Sequence, residues 1–184
     1  YYLDVGAFNN GYFGGYRLAI SEIPVPIIPT YSLDQIADYL TSGFWIYNGS
    51  SARRWNTSAD NIVTYNIAAL TNDGQFLARA AFQTWANVTN LVFQEVTSDG
   101  DISFDDNESG AFASATSSNG FITSMKVNVS TGWLTTYGTK LDSYSFQTYV
   151  HEIGHALGLG HGGPYNVSAT YGINNIYSND VWSY

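Results

Sequence analysis

The sequence predicts an α+β domain, and three observations carry that prediction. Apolar residues recur at helical spacing in three places: Leu33 to Leu40, Phe76 to Trp85 and Phe146 to Leu157. Between them lie β-rich runs bounded by Gly, Asn, Asp and Ser: Asn61 to Ile67, Leu91 to Val96, Asp101 to Phe104 and Ile122 to Val129, with Ala111 to Ala115 as a further short strand. The chain has 184 residues, 45% hydrophobic and 16% aromatic, enough for one domain with a sizeable core.

Taken in order, the chain opens on two short strand-like runs, Tyr2 to Ala7 and Tyr16 to Ile20, joined by the Gly- and Asn-rich NNGYFGG. Residues 1–20 thus read as a hairpin, marginal alone in water. Residues 21–30 hold Pro24, Pro26 and Pro29, three of the four prolines, and read as an extended linker. Residues 31–184 form the main domain. Ser32 is placed to cap the first helix, with Leu33, Ile36, Ala37 and Leu40 on one face. Asp73 is placed to cap the second, on which Phe76, Leu77, Ala80, Ala81 and Trp85 share a face. Asp142 or Ser143 starts the third. Its apolar stripe of Phe146, Val150, Ile153 and Leu157, flanked by Tyr149 and Ala156, should pack on the sheet.

Composition removes several functions. Six Lys and Arg stand against 15 Asp and Glu, a net charge of -9 without a basic patch, so nucleic acid is disfavoured as a partner. No apolar run approaches the roughly 20 residues that span a bilayer. Cysteine is absent, which excludes a disulfide scaffold. Calcium is compatible with the acidity, but no Gly- and Asp-rich nonapeptide repeat indicates it.

All three histidines fall in HEIGHALGLGH, residues 151–161. His151 and His155 are four apart, about one turn on the same helical face, so both imidazoles reach one metal ion. Gly158 follows three residues later. Glycine tolerates positive φ, so it ends the helix and turns the chain back, returning His161 to the same ion. Three nitrogen ligands leave one position of a tetrahedral Zn²⁺ open, the pattern of a catalytic site. Zinc lowers the pKa of water in that position to about 7, and Glu152, beside the metal face, is the base that takes the proton and later gives it to the leaving amine.

At these residues the chain resembles the metzincin metalloproteases, which share His-Glu-x-x-His-x-x-Gly-x-x-His followed by a Met-turn. More narrowly it is similar to serralysin-type bacterial secreted proteases. The likeness rests on HEIGHALGLGH with its following GGPYN, on SLDQIADYLTSG as a first helix, on GQFLARAAFQTWANVTNLVFQEV as a second helix and strand, and on DISF, GAFASATS and ITSMKVNVSTGWL as later strands. It spans roughly residues 30 to 184. The resemblance implies a twisted five-stranded mixed sheet on long helices, a secreted zinc endopeptidase acting on protein or peptide substrate, zinc ligands at His151, His155 and His161, and a general base at Glu152. It also implies that the fourth strand is an edge that pairs with extended substrate, here Ala111, Phe112, Ala113 and Ser114. The first 20 residues look like the last hairpin of a β-sandwich of the kind attached to secreted peptidases.

The departures lie at the end. The only methionine, Met125, sits in a strand far upstream of any Met-turn. In one alignment Val181, Trp182, Ser183 and Tyr184 replace the Met-turn, with Tyr184 as an extra metal ligand. In the other, IYSNDVWSY matches a segment just before that turn, which a C-terminal fragment would then supply. The second is preferred, because the stretch after His161 is short for the first and Trp matches Met poorly in volume. The rival readings are a zinc-stabilised module without catalysis and an extracellular binding module.

Overall fold

The computed structural model describes residues 31–163. The expected hairpin over 1–20, the linker over 21–30, and Trp182 and Tyr184 lie outside the described residues.

Ser32 caps α1 (Leu33–Asp38). Its hydroxyl accepts from the Gln35 amide while the Gln35 side chain returns to the Ser32 amide, so two otherwise orphaned donors are satisfied. The helix then widens into a π-helical turn, Tyr39–Gly43, and resumes as α2 (Phe44–Tyr47). The expected face of Leu33 and Ala37 stays exposed, and Tyr39 and Phe44 are buried instead. The wider turn shifts the phase of the side chains, so a regular 3.6-residue pattern misjudges the buried face.

Five strands follow: β1 (Ile62–Asn66), β2 (Val92–Glu95), β3 (Ile102–Asp105), β4 (Ala111–Ser118) and β5 (Phe121–Val129). They form one mixed sheet in the order β2-β1-β3-β5-β4, parallel throughout except that β4 runs antiparallel to β5. The α+β class and the five-stranded mixed sheet expected from the resemblance are both present. β4 and β5 are joined by Asn119 and Gly120, both at positive φ (53° and 79°), the two-residue turn whose twist matches a hairpin.

Helix α3 (Asn72–Ala86) is capped by Thr71, whose hydroxyl accepts from the Gly74 amide, and not by Asp73. Asp73 lies instead in the first turn, where its charge suits the helix dipole. The buried face is Gly74, Leu77, Ala78, Ala81 and Phe82, with Phe76 half exposed, so the helix is rotated from the expected stripe. Phe82 explains the rotation. Its ring stacks on Tyr65 at 3.9 Å and meets Phe93 and Phe104 at 5.1 and 5.6 Å, an aromatic cluster drawn from three strands. A short helix, α4 (Thr131–Tyr137), replaces the expected end of a strand at STGWL, with Ser130 as its cap.

Helix α5 (Tyr144–Ala156), capped by the Ser143 hydroxyl, packs on α3, β4 and β5. Tyr149, Ile153 and Ala156 are fully buried, with Phe146, Val150 and Leu157 packed partly buried around them. The core is continuous from Val63 and Ile102 through Val127 and Val129 to this helix.

One buried polar side chain organises the approach to β4. Asn128 has no exposed surface, accepts from the Glu108 amide at 3.1 Å and donates to the Glu108 and Gly110 carbonyls at 3.0 and 3.1 Å. Asn128→Ala leaves the Glu108 peptide groups without these partners and opens a small void. The expected loss is about 2–3 kcal/mol, read as a fall of roughly 5–10 °C in the melting temperature.

Candidate metal centre

Helix α5 carries the first two histidines and ends one residue later. Leu157 caps it, and Gly158 takes φ +102°, the left-handed conformation expected of it. The amides of Gly158 and Leu159 turn back to the His155 and Gly154 carbonyls at 2.9 and 3.0 Å. That reversal brings His161 over the helix end. The rings of His151, His155 and His161 lie with centroids 4.5, 4.6 and 5.3 Å apart. One ring nitrogen from each falls within 4.8 Å of the others, and His155 Nε2 and His161 Nε2 face each other at 3.0 Å. Nitrogens bound to one tetrahedral zinc at about 2.0–2.1 Å are about 3.3 Å apart, so the set fits a single ion with a modest shift of the outermost ring.

The tautomer suits a ligand. His155 Nδ1 lies 2.9 Å from the Leu159 carbonyl, which only accepts, so Nδ1 carries the proton and Nε2 keeps its lone pair. Burial, then the neighbouring His151, pulls the His155 pKa down to about 3, with His161 and Arg53 adding smaller pushes the same way against the Leu159 bond. His151 is exposed to solvent. The crowding around its ring, then His161, lowers it to about 4. Both imidazoles are therefore neutral and ready for a cation at neutral pH.

Glu152 projects from the same helix and is only 6% exposed. Its Oε2 is buried without a hydrogen-bond partner, and burial raises the carboxyl to about 7. A buried carboxylate without a donor is costly unless something positive is near it, and a divalent ion held by the three imidazoles, two of them on the same helix, would supply such a charge.

The sequence pointed to these four residues, and the structure gathers the three histidines on one spot with Glu152 on the same helix. Ala111, Phe112, Ala113 and Ser114 open β4, which is a sheet edge as expected.

Sequence reasoning missed the role of tryptophan. The indole N–H groups of Trp45, Trp55 and Trp85 donate to the Gly158, Ala156 and Val150 carbonyls at 2.8–2.9 Å, and Trp133 donates to Thr148 Oγ1 at 3.0 Å. All four partners lie on α5 or its following turn. Behind the turn, the Arg53 guanidinium sits 3.9 Å over the Trp45 ring, and burial lowers its pKa. Five tryptophans in 184 residues was the available signal, but nothing local in sequence names their partners.

Comparison with known proteins agrees with this geometry. Residues 54–175 match the family model Peptidase M10, Matrixin. Serralysin A of Dickeya chrysanthemi is 29% identical over 166 residues, covering 75% of this chain and 34% of that protein. Metallopeptidase AprA of Pseudomonas marginalis is 28% identical over 206 residues, covering 93% of this chain and 41% of that protein. Metalloprotease AprA of Pseudomonas entomophila is 31% identical over 164 residues, covering 75% and 32%. The chain thus spans between about a third and two fifths of the length of these relatives.

Proposed function

The chain belongs to the matrixin family, Peptidase M10, and from that premise we propose that it is the catalytic domain, spanning residues 31–184, of a secreted zinc-dependent endopeptidase. One observation carries the reading: three imidazoles converge on one spot, and the helix that bears two of them also carries Glu152, whose buried Oε2 has no hydrogen-bond partner. His151, His155 and His161 hold the ion, and Glu152 moves the proton.

Zinc, when bound, supplies Lewis acidity, lowering the pKa of water at its open position to about 7 and polarising a carbonyl. Glu152 accepts a proton from the attacking water as the oxygen bonds to the scissile carbonyl carbon. The same carboxyl then delivers that proton to the departing amine nitrogen as the C–N bond breaks. The depressed pKa values of His151 and His155 keep these two ligands from competing for protons at neutral pH.

Substrate is a peptide in extended form, laid along β4, the edge strand among the described residues, at Ala111 to Ser114. Main-chain hydrogen bonds from a sheet edge give affinity with little demand on sequence. Secretion rests on the similarity to serralysins. Among the described residues no helix is long and apolar enough to cross a membrane.

The test is zinc content together with casein hydrolysis. The wild-type chain is expected to hold one equivalent of zinc and to cleave casein. His155→Ala, which removes the ligand at the centre of the set, is expected to lose both. Stoichiometric zinc in that variant would count against the ligand assignment. Zinc at one equivalent with no hydrolysis by the wild-type chain would favour a zinc-stabilised module, and partner binding that survives metal removal would favour a binding module.

A further inference from the structure

Two of the three imidazoles are fixed by helix geometry, but the third is not. His151 and His155 ride on α5, which α3 and the sheet hold in place. His161 lies beyond the helix, and its position depends on the turn of residues 157–160. Besides Arg53, whose carbonyl lies against Gly158, and Trp55, which bonds Ala156, that turn is held from outside by one stretch of chain. The Gly160 amide donates to the Leu40 carbonyl at 2.7 Å, and the Trp45 indole donates to the Gly158 carbonyl at 2.8 Å. The Phe44 ring meets His161 edge-on at 5.2 Å and presses so closely on Gly160 that a Cβ there would lie 2.3 Å from it. Leu40 sits in the π-helical turn and Phe44 and Trp45 begin α2, so the widened turn places these three groups where they meet residues 158–161. Arg53 in turn covers the outer face of Trp45. The family match begins only at residue 54, so none of these groups lies within it.

We infer that the segment 39–47 is a positioning element for the third metal ligand: Leu40, Phe44 and Trp45 clamp the turn and set the orientation of the His161 imidazole, and with it the affinity of the site for zinc. The inference rests on the reading of His151, His155 and His161 as ligands. Groups that orient a ligand without touching the metal change affinity by roughly ten- to hundredfold when removed. A ring held edge-on by an aromatic neighbour and a turn pinned by two hydrogen bonds match that role.

The experiment measures zinc dissociation constants by competition with a chromophoric chelator, and the visible bands of the cobalt-substituted protein. It compares wild type, Trp45→Phe, Phe44→Leu and the control Trp133→Phe. Trp45→Phe keeps an aromatic ring under Arg53 and removes the N–H donor with part of the indole surface. Trp133→Phe removes an equivalent donor from the far end of α5. Both Trp45→Phe and Phe44→Leu are expected to weaken zinc binding by roughly ten- to hundredfold and to shift the cobalt bands, while the control stays within about twofold of wild type with unmoved bands. Unchanged affinity and spectra in both variants, or an equal loss in the control, would overturn the clamp. A wild-type chain that takes up no stoichiometric zinc would instead overturn the ligand reading beneath it.

Discussion

Glu152→Gln is expected to lower kcat/KM for peptide hydrolysis by a factor of about 10²–10⁴ or more while zinc stays at one equivalent. The substitution keeps the size and planarity of the side chain and removes its basicity. Glu152 is the only carboxylate on α5, so no neighbour on that helix takes over the proton. The fold should tolerate the change, because the amide matches the carboxyl in size and shape and Oε2 makes no hydrogen bond that it would break. A pH series on the metal-free protein checks the environment separately. The carboxyl is raised to about 7 in the folded chain from an ordinary 4.5. Its contribution is therefore fully present below about pH 4.5 and is lost as pH rises through 7. Metal-free Glu152→Gln should match wild type in acid and grow relatively more stable up to about pH 7, by a margin on the order of 3 kcal/mol, then stay level. Activity within tenfold of wild type would remove Glu152 from the mechanism, and a flat stability difference across pH would show that the carboxyl is not buried as described.

Gly158→Ala is expected to damage both stability and metal binding. The backbone there has φ +102°, a conformation that costs a residue with a side chain about 1–3 kcal/mol. An added Cβ would also sit 2.2 Å from the Arg53 carbonyl oxygen, which is backbone and cannot rotate aside. Either the turn or the strand-like segment through Arg53 and Arg54 must move. The latter is tied by Arg54 to Gly120 and Ile122 through hydrogen bonds of 3.2 and 2.8 Å. The turn is the part that gives, and His161 moves with it. A loss above about 3 kcal/mol is expected, a fall of roughly 6–12 °C in melting temperature, together with zinc binding weakened by tenfold or more. A variant that melts within 2 °C of wild type and binds zinc equally would show that the helix stop does not need glycine.

Much of the centre was legible because its determinants are local. The spacing of His151 and His155 follows from the helical repeat, Ser32 and Ser143 cap where side-chain chemistry allows it, and Gly158 stops α5 where a positive φ is needed. What was not legible depends on distant partners. Helix α4 was hidden because STGWL suits the end of a strand as well as a capped turn, and only packing against α3 and α5 decides. Phe82 takes the core position assigned to Phe76 because Tyr65, Phe93 and Phe104 converge on it from separate strands. The five-stranded sheet and the edge position of β4 came from the resemblance and not from periodicity, which marks strands without pairing them, and the strand order was not predicted at all. The four indole donors were invisible for the same reason, since Trp133 lies 15 residues from its acceptor and the others 65 to 113.

Those separations bear on when the centre comes into being. The Asn119–Gly120 hairpin closes over two residues, an event of microseconds. The bonds that pin the reversal after α5 close loops of 101 and 113 residues, whose entropic cost is only modestly larger but whose ends must first find each other. A ribosome still making the chain holds these ends apart until residue 158 has emerged. Within residues 31–163 the turn that places His161 is thus among the last parts to form, because its partners at Trp45 and Trp55 wait for it from the start of the domain.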